Sequence, residues 1–167
     1  MNNEDLYLEQ TTAEDYEDYY LIRCSPADIY WNGYEKEPDK EEFKKLYLKR
    51  LSSSPFDNNE DRRLYFINVN SCRIGFVQLI KHSDCVEIGY TIIEAFQKHG
   101  YATYALQQAI TLAKEFNNTI CVRIRDDNYA SQKVALKNGF CTTSEYTQKE
   151  YPHCGIVKLR KYIKNIC

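Results

Sequence analysis

The residues best suited to chemistry lie in one continuous run. Glu87 sits in VEIGYTII, where Val86, Ile88, Tyr90 and Ile92 alternate with Glu87, Gly89, Thr91 and Ile93. That period of two is what a pleated strand requires. The turn Gln97-Lys98-His99-Gly100 follows, and then a stretch in which Ala102, Leu106, Ala109, Ile110, Ala113 and Phe116 recur at helical spacing. A helix that opens directly from a glycine turn leaves its first N–H groups unpaired and aimed at that turn. With the positive end of the helix dipole added, such a turn attracts anions, phosphate above all.

The rest of the chain must position this run. Residues 6–9 read as a short strand, and Thr11-Thr12 followed by acidic residues opens a helix whose buried side carries Tyr16, Tyr19, Tyr20 and Ile22. Ser25-Pro26 ends it. Residues 27–38, with Tyr30, Trp31 and Tyr34 around Asn32-Gly33, read as a loop or a short turn of helix loaded with aromatics. Asp39 caps a second helix bearing Phe43, Leu46, Tyr47 and Leu51, and residues 52–61 read as a polar surface loop. Residues 63–69 and 73–80 form a hairpin around Asn70-Ser71, and residues 82–84 turn the chain into the Glu87 strand, which completes an antiparallel meander. After the long helix, Ile120, Val122 and Ile124 mark a fifth strand, and Asp126-Asp127-Asn128 starts a helix that ends at Gly139. Residues 140–146 and 156–163 close as two strands around a loop holding Tyr151, Pro152 and His153.

Seven strands and four helices in that order predict a mixed α+β (α/β) fold in which only part of the sheet is parallel, since one crossover helix permits one parallel step. No GxGxxG follows a first strand, which excludes a dinucleotide-binding sheet. The 167 residues suit a single domain. A net charge of −2 and a pI near 6.0 argue against a nucleic-acid partner. The seven cysteines are odd in number and never spaced as CxxC, so neither a zinc site nor a disulfide framework is expected. The first ten residues have no basic and apolar leader pattern, and no apolar run is long enough to span a membrane, which predicts a cytoplasmic protein with no membrane partner. A homodimer is compatible with these features, and nothing in them fixes the oligomeric state.

Gln97-Lys98-His99-Gly100-Tyr101-Ala102 matches a Q/R-x-x-G-x-G/A signature, and Asn128 to Phe140, NYASQKVALKNGF, has the form of a second element at the appropriate distance. In this the chain resembles the GNAT superfamily of acetyl-CoA-dependent N-acetyltransferases, nearest to the ribosomal-protein alanine N-acetyltransferases. The resemblance implies a mostly antiparallel, twisted sheet of about seven strands with a parallel, splayed centre and about four flanking helices. It implies acetyl-CoA as cosubstrate and a primary amine, on a protein N-terminus or a small molecule, as acceptor. The pyrophosphate would rest on backbone N–H groups from Lys98 to Thr103, through His99, Gly100, Tyr101 and Ala102, with Gln97 in the same turn. The pantetheine arm would pair with the backbone of Tyr90, Thr91 and Ile92. Asn128 matches a cofactor-contacting asparagine, and equally suits a helix N-cap.

An alkylamine is mostly protonated at neutral pH, so a base must take a proton before or during attack on the thioester. Glu87 matches the position of a catalytic glutamate in some relatives; the alternative is an ordinary polar residue paired with a strand neighbour or an arginine. Many relatives have a tyrosine seven residues after the asparagine, as acid for the departing thiolate, where this chain has Ala135. Tyr129, Tyr146 and Tyr151 are the tyrosines that could replace it. Tyr30, Trp31, Tyr34, Glu35, Tyr151 and His153 are the expected acceptor-side residues, an acidic and aromatic set suited to a cationic amine. The competing reading is a non-catalytic acyl-CoA-binding or sensor domain. A lost base would mark it.

Overall fold

The meander forms as its alternation dictates. In the computed structural model, which describes residues 6–51 and 56–166, β1 (Leu6–Gln10), β2 (Arg62–Val69), β3 (Cys72–Lys81) and β4 (Val86–Ile92) pair antiparallel in sequence order. Asn70 and Ser71 both take positive φ, 49° and 62°, the backbone that a tight two-residue hairpin needs. β3 and β4 come unusually close at Gly75, where a Cβ would stand 2.0 Å from the Thr91 carbonyl oxygen. Only glycine fits there.

α4 (Tyr101–Ala113) carries the chain across the sheet, and β5 (Thr119–Arg125) returns parallel to β4. Their register covers only Val86↔Ile120 and Glu87↔Cys121, while β4 stays paired with β3 as far as Ile92. Beyond Glu87 the two strands therefore part. β5 pairs with β7 (Gly155–Asn165), which pairs with β6 (Cys141–Tyr151), so the seven strands run β1-β2-β3-β4-β5-β7-β6. The mixed sheet with its one parallel, splayed step is as expected.

Each face of the sheet has its own core. On one, Leu106, Ala109 and Ile110 of α4 pack over Val77, Leu79, Ile88, Ile120 and Val122. On the other, α1 (Tyr16–Arg23) and α3 (Lys40–Leu51) set Tyr16, Tyr19, Phe43 and Tyr47 against Leu64, Phe66 and Phe76. Alternation along β4 buries Ile88 in the first core and turns Glu87 and Thr91 to the second side.

Three expectations change. The described residues contain five α-helices where four were expected, since α2 (Pro26–Asn32) joins α1, α3, α4 and the expected α5 (Tyr129–Lys137). α2 realises the helical alternative for the aromatic stretch because Ser25 Oγ accepts the Asp28 N–H (3.4 Å), Pro26 occupies the first turn, and Gly33 ends the helix at φ 74°. The last hairpin is longer than expected: β6 runs to Tyr151, and the turn is residues 152–154, because ladder bonds to β7 hold the polar stretch 147–150 extended. The 52–61 stretch is not wholly a surface loop, because Phe56 is buried with its ring centroid 4.8 Å from that of Phe116; residues 52–55 lie outside the described residues.

Candidate functional site

A cleft of about 510 Å³ opens where β4 and β5 part. Its walls are residues 87–92 of β4, residues 122–125 of β5, and the first turns of α4 and α5. One end is the turn before α4. Gln97 Nε2 donates to the Ile92 carbonyl (2.9 Å), which clips the turn to the end of β4. Lys98 and Gly100 are left-handed, at φ 65° and 85°. Among the described residues the N–H groups of Gly100, Tyr101 and Ala102 have no partner, whereas the Thr103 N–H donates to the Gly100 carbonyl (3.0 Å). Thr103 therefore drops out of the expected donor set, because its N–H closes the first turn of the helix. No acidic side chain stands in that turn. An anion placed there meets three backbone donors and the helix dipole with nothing opposing. Gln97, Lys98, Gly100, Tyr101, Ala102 and Thr103 line the cleft; His99 does not, and its ring stacks beside Tyr101 at 5.7 Å.

The β4 wall brings Tyr90, Thr91 and Ile92 to the cleft. Thr91 turns its carbonyl toward Gly75 on β3. Backbone groups alternate in direction along a strand, so Tyr90 and Ile92 are the ones turned away from β3, toward the cleft. The Tyr90 hydroxyl is buried without a hydrogen-bond partner, and burial pushes its pKa up to about 12. Asn128 lines the cleft and its Oδ1 accepts the Ser131 N–H (3.1 Å). The cap role is realised, which leaves the Asn128 Nδ2 group for a ligand.

Glu87 faces the cleft with its side chain 17% exposed. It is ion-paired with Arg123, and its Oε2 lies 2.9 Å from His82 Nε2. Burial, and then the Arg123 charge, lower the His82 pKa, so the imidazole is neutral at neutral pH. The arginine partner realises the alternative the sequence offered for Glu87, though the sequence named neither Arg123 nor His82. Arg123 carried a readable signal, a charged residue on the same face of β5 as Cys121, which is in register with Glu87. His82 sits in a turn and carried none.

On the acceptor side Trp31 and Tyr151 line the cleft, while Tyr30 and Tyr34 do not. The aromatic rings are already engaged. The Arg125 guanidinium lies over Tyr30, Trp31 and Tyr151 at 5.1, 4.9 and 5.1 Å from their centroids, and pairs with Asp127 at 2.5 Å. Arg23 lies 5.3 Å from the Tyr34 ring centroid and donates to its hydroxyl (2.6 Å). Arg23 also pairs with buried Asp28 (3.0 Å), which accepts from Thr91 Oγ1 (2.6 Å) and so ties α2 to β4. The expected cation–π seat for a substrate amine is therefore filled by the protein's own arginines. Glu35 is exposed, and His153 packs 4.6 Å from Tyr30.

Ala135 is fully buried. Tyr129 and Tyr146 are 69% and 51% exposed and do not line the cleft. Tyr151 does, with its hydroxyl donating to the Trp31 carbonyl (3.0 Å) and its pKa raised by burial. Residues not foreseen in the lining include Gln78, Ser131, Val134 and Lys149.

A splayed parallel pair leading to a helix N-terminus defines an acyltransferase-type cleft, and sequence comparison agrees. The family model described as the acetyltransferase (GNAT) domain matches residues 5–141, and the chain belongs to that family. No curated protein matches it in sequence. Among solved structures, it is similar to the spermidine N-acetyltransferase of Vibrio cholerae in complex with CoA and spermine (TM-score 0.81, 16% identity, 98% of this chain and 96% of that one). It is similar to the Salmonella typhimurium acetyl transferase that modifies the N-terminal serine of ribosomal protein L7/L12 (TM-score 0.80, 19% identity, 99% and 97%). An aminoglycoside acetyltransferase in complex with coenzyme A gives a TM-score of 0.74 at 16% identity, over 96% and 94% of the two chains.

Proposed function

We propose that the protein is an N-acetyltransferase that moves an acetyl group from acetyl-CoA to a primary amine by direct attack on the thioester. The observation that carries this is the cleft in which β4 parts from β5 and ends at the unpaired N–H groups of Gly100, Tyr101 and Ala102. The pyrophosphate rests on those N–H groups, with Lys98 beside them and Gln97 holding the turn in place. The pantetheine arm lies along β4, where Tyr90 and Ile92 offer backbone groups that no longer pair with β5. Asn128 offers its amide Nδ2 from the far wall.

The amine nitrogen attacks the acetyl carbonyl carbon, a new C–N bond forms, and the C–S bond breaks to release the thiolate. Glu87 accepts the proton that the amine loses, directly or through a water. Arg123 and neutral His82 hold its carboxylate in the cleft. Tyr129 and Tyr146 stand outside the cleft and the Tyr151 hydroxyl is engaged by the Trp31 carbonyl, so the thiolate takes its proton from solvent or leaves as the anion. A thiol with a reference pKa near 8.5 permits either. The six described free cysteines support a reducing, cytoplasmic setting.

Two measurements test the reading. Acetyl-CoA at a hundredfold its Kd should stabilise the fold by about 2.7 kcal/mol, seen as a rise in Tm. Free thiol should then appear when an amine acceptor is added. Stabilisation without thiol release over a broad amine panel would favour the non-catalytic acyl-CoA-binding alternative.

A further inference from the structure

The acceptor half of the cleft has a cation to spare and no carboxylate to spare. Among the described residues that line the cleft Glu87 is the only carboxylate, and it is paired with Arg123; Asp28 and Asp127 nearby are paired with Arg23 and Arg125. The aromatic faces that would receive a cation are covered by Arg125 and Arg23. One positive group of the lining on this side is left over. Lys149 reaches the cleft rim from β6, donating to the Asn32 carbonyl (3.3 Å) with its ammonium 5.2 Å from the Tyr151 ring centroid, and has no ion pair among the described residues.

We infer that the acceptor is an amine flanked by carboxylates, as at the N-terminus of an acidic peptide or in a small acidic amino compound, and not a polyamine. This rests on the N-acetyltransferase reading and narrows it. A polycation entering this half of the cleft would find the lining's one carboxylate already paired with Arg123 and would be repelled by Lys149. An amine with a carboxylate a few atoms away would present its nitrogen to Glu87 and its negative charge to Lys149. The overall resemblance to enzymes of polyamines and aminoglycosides then reflects the fold, while the charges of this cleft select differently.

The test compares initial rates of thiol release from acetyl-CoA for four acceptors. They are a short peptide with Asp and Glu after its first residue, the same peptide with Lys and Arg there, free glutamate, and spermidine. The acidic peptide or glutamate should exceed the basic peptide and spermidine in kcat/KM by about tenfold or more at low salt, with the gap narrowing at about 0.5 M salt. Which of the two leads identifies the source of the carboxylate. Exposed Lys149 tolerates replacement, and Lys149→Glu should lower the rate with the acidic acceptor severalfold while the acetyl-CoA-induced rise in Tm stays unchanged. Equal rates for the two peptides, or faster turnover of spermidine, would overturn the inference and leave the N-acetyltransferase reading standing. Absence of both thiol release and acetyl-CoA-induced stabilisation would remove that reading and the inference with it.

Discussion

Glu87 carries the sharpest prediction at the level of single residues. Glu87→Gln keeps the size and one hydrogen-bonding oxygen but cannot take a proton at neutral pH, so turnover should fall by about 10²–10⁴, the usual contribution of a positioned base. Acetyl-CoA should still raise Tm as before, and part of the lost rate should return at higher pH, where more amine is already unprotonated. An unchanged rate would remove Glu87 from the mechanism. A second prediction concerns Tyr19, fully buried with a hydroxyl that has no partner. Tyr19→Phe should leave stability unchanged or raise it by up to about 1 kcal/mol in urea unfolding, because it removes an unpaid desolvation cost. The orientation of Glu87 could be read from the parity of its strand. That it would stand between Arg123 and His82 could not, because one partner lies across a sheet junction and the other in a turn. The aromatic content of residues 27–38 was equally legible, but that Arg125, almost a hundred residues later, fills the space between those rings depends on tertiary packing.

Secondary-structure elements decide how the cleft is held open. The turn before α4 depends on Gly100 at φ 85°. Gly100→Val forces a β-branched residue into the left-handed region, at a cost of about 1–2 kcal/mol, and disturbs the N–H groups that face the anion. The Kd for acetyl-CoA should rise at least about tenfold in calorimetry; unchanged affinity would displace the phosphate from this turn. Gly75→Ala tests the other side of the same strand, where the added Cβ would meet the Thr91 carbonyl at 2.0 Å. It should destabilise the protein by about 1–3 kcal/mol and shift β4 away from β3. The strand, turn and helix that form the cleft were readable because one period of two gives way to one of 3.6 across a glycine. α2 was harder, since Pro26 looked like the end of a helix and is also the start of the next. The outer half of β6 was hidden for a different reason. Both its faces are largely exposed, so it carries no alternation to read.

Over the whole molecule, strand order and charge distribution extend beyond local pattern. Neighbours from β2 to β4 follow from short connections, whereas the pairing of β1 with β2 across α1, α2 and α3 and the insertion of β7 between β5 and β6 do not. The charges predict a two-step response to acid. Burial and Arg123 lower the His82 pKa below its ordinary 6.5. A histidine held neutral in the fold contributes stability above its unfolded pKa, and that contribution is lost as pH falls through the lower folded value. Hydrogen bonding to Lys161 depresses Asp84, and hydrogen bonding to Arg125 depresses Asp127; both start from 3.8. Asp15 is also depressed: burial alone would raise it, but bonds from Thr12 and Arg73 outweigh that. Their contribution is complete above about 3.8 and is lost only in stronger acid. Asp28 acts in the opposite sense, since burial raises its pKa despite Arg23, and its protonation softens the lower step. Tm should therefore be level near neutrality, begin to fall below about pH 6.5, and fall again below about pH 4. His82→Gln should abolish the upper step and preserve the lower one. An upper step that survives this substitution would assign the loss to another group.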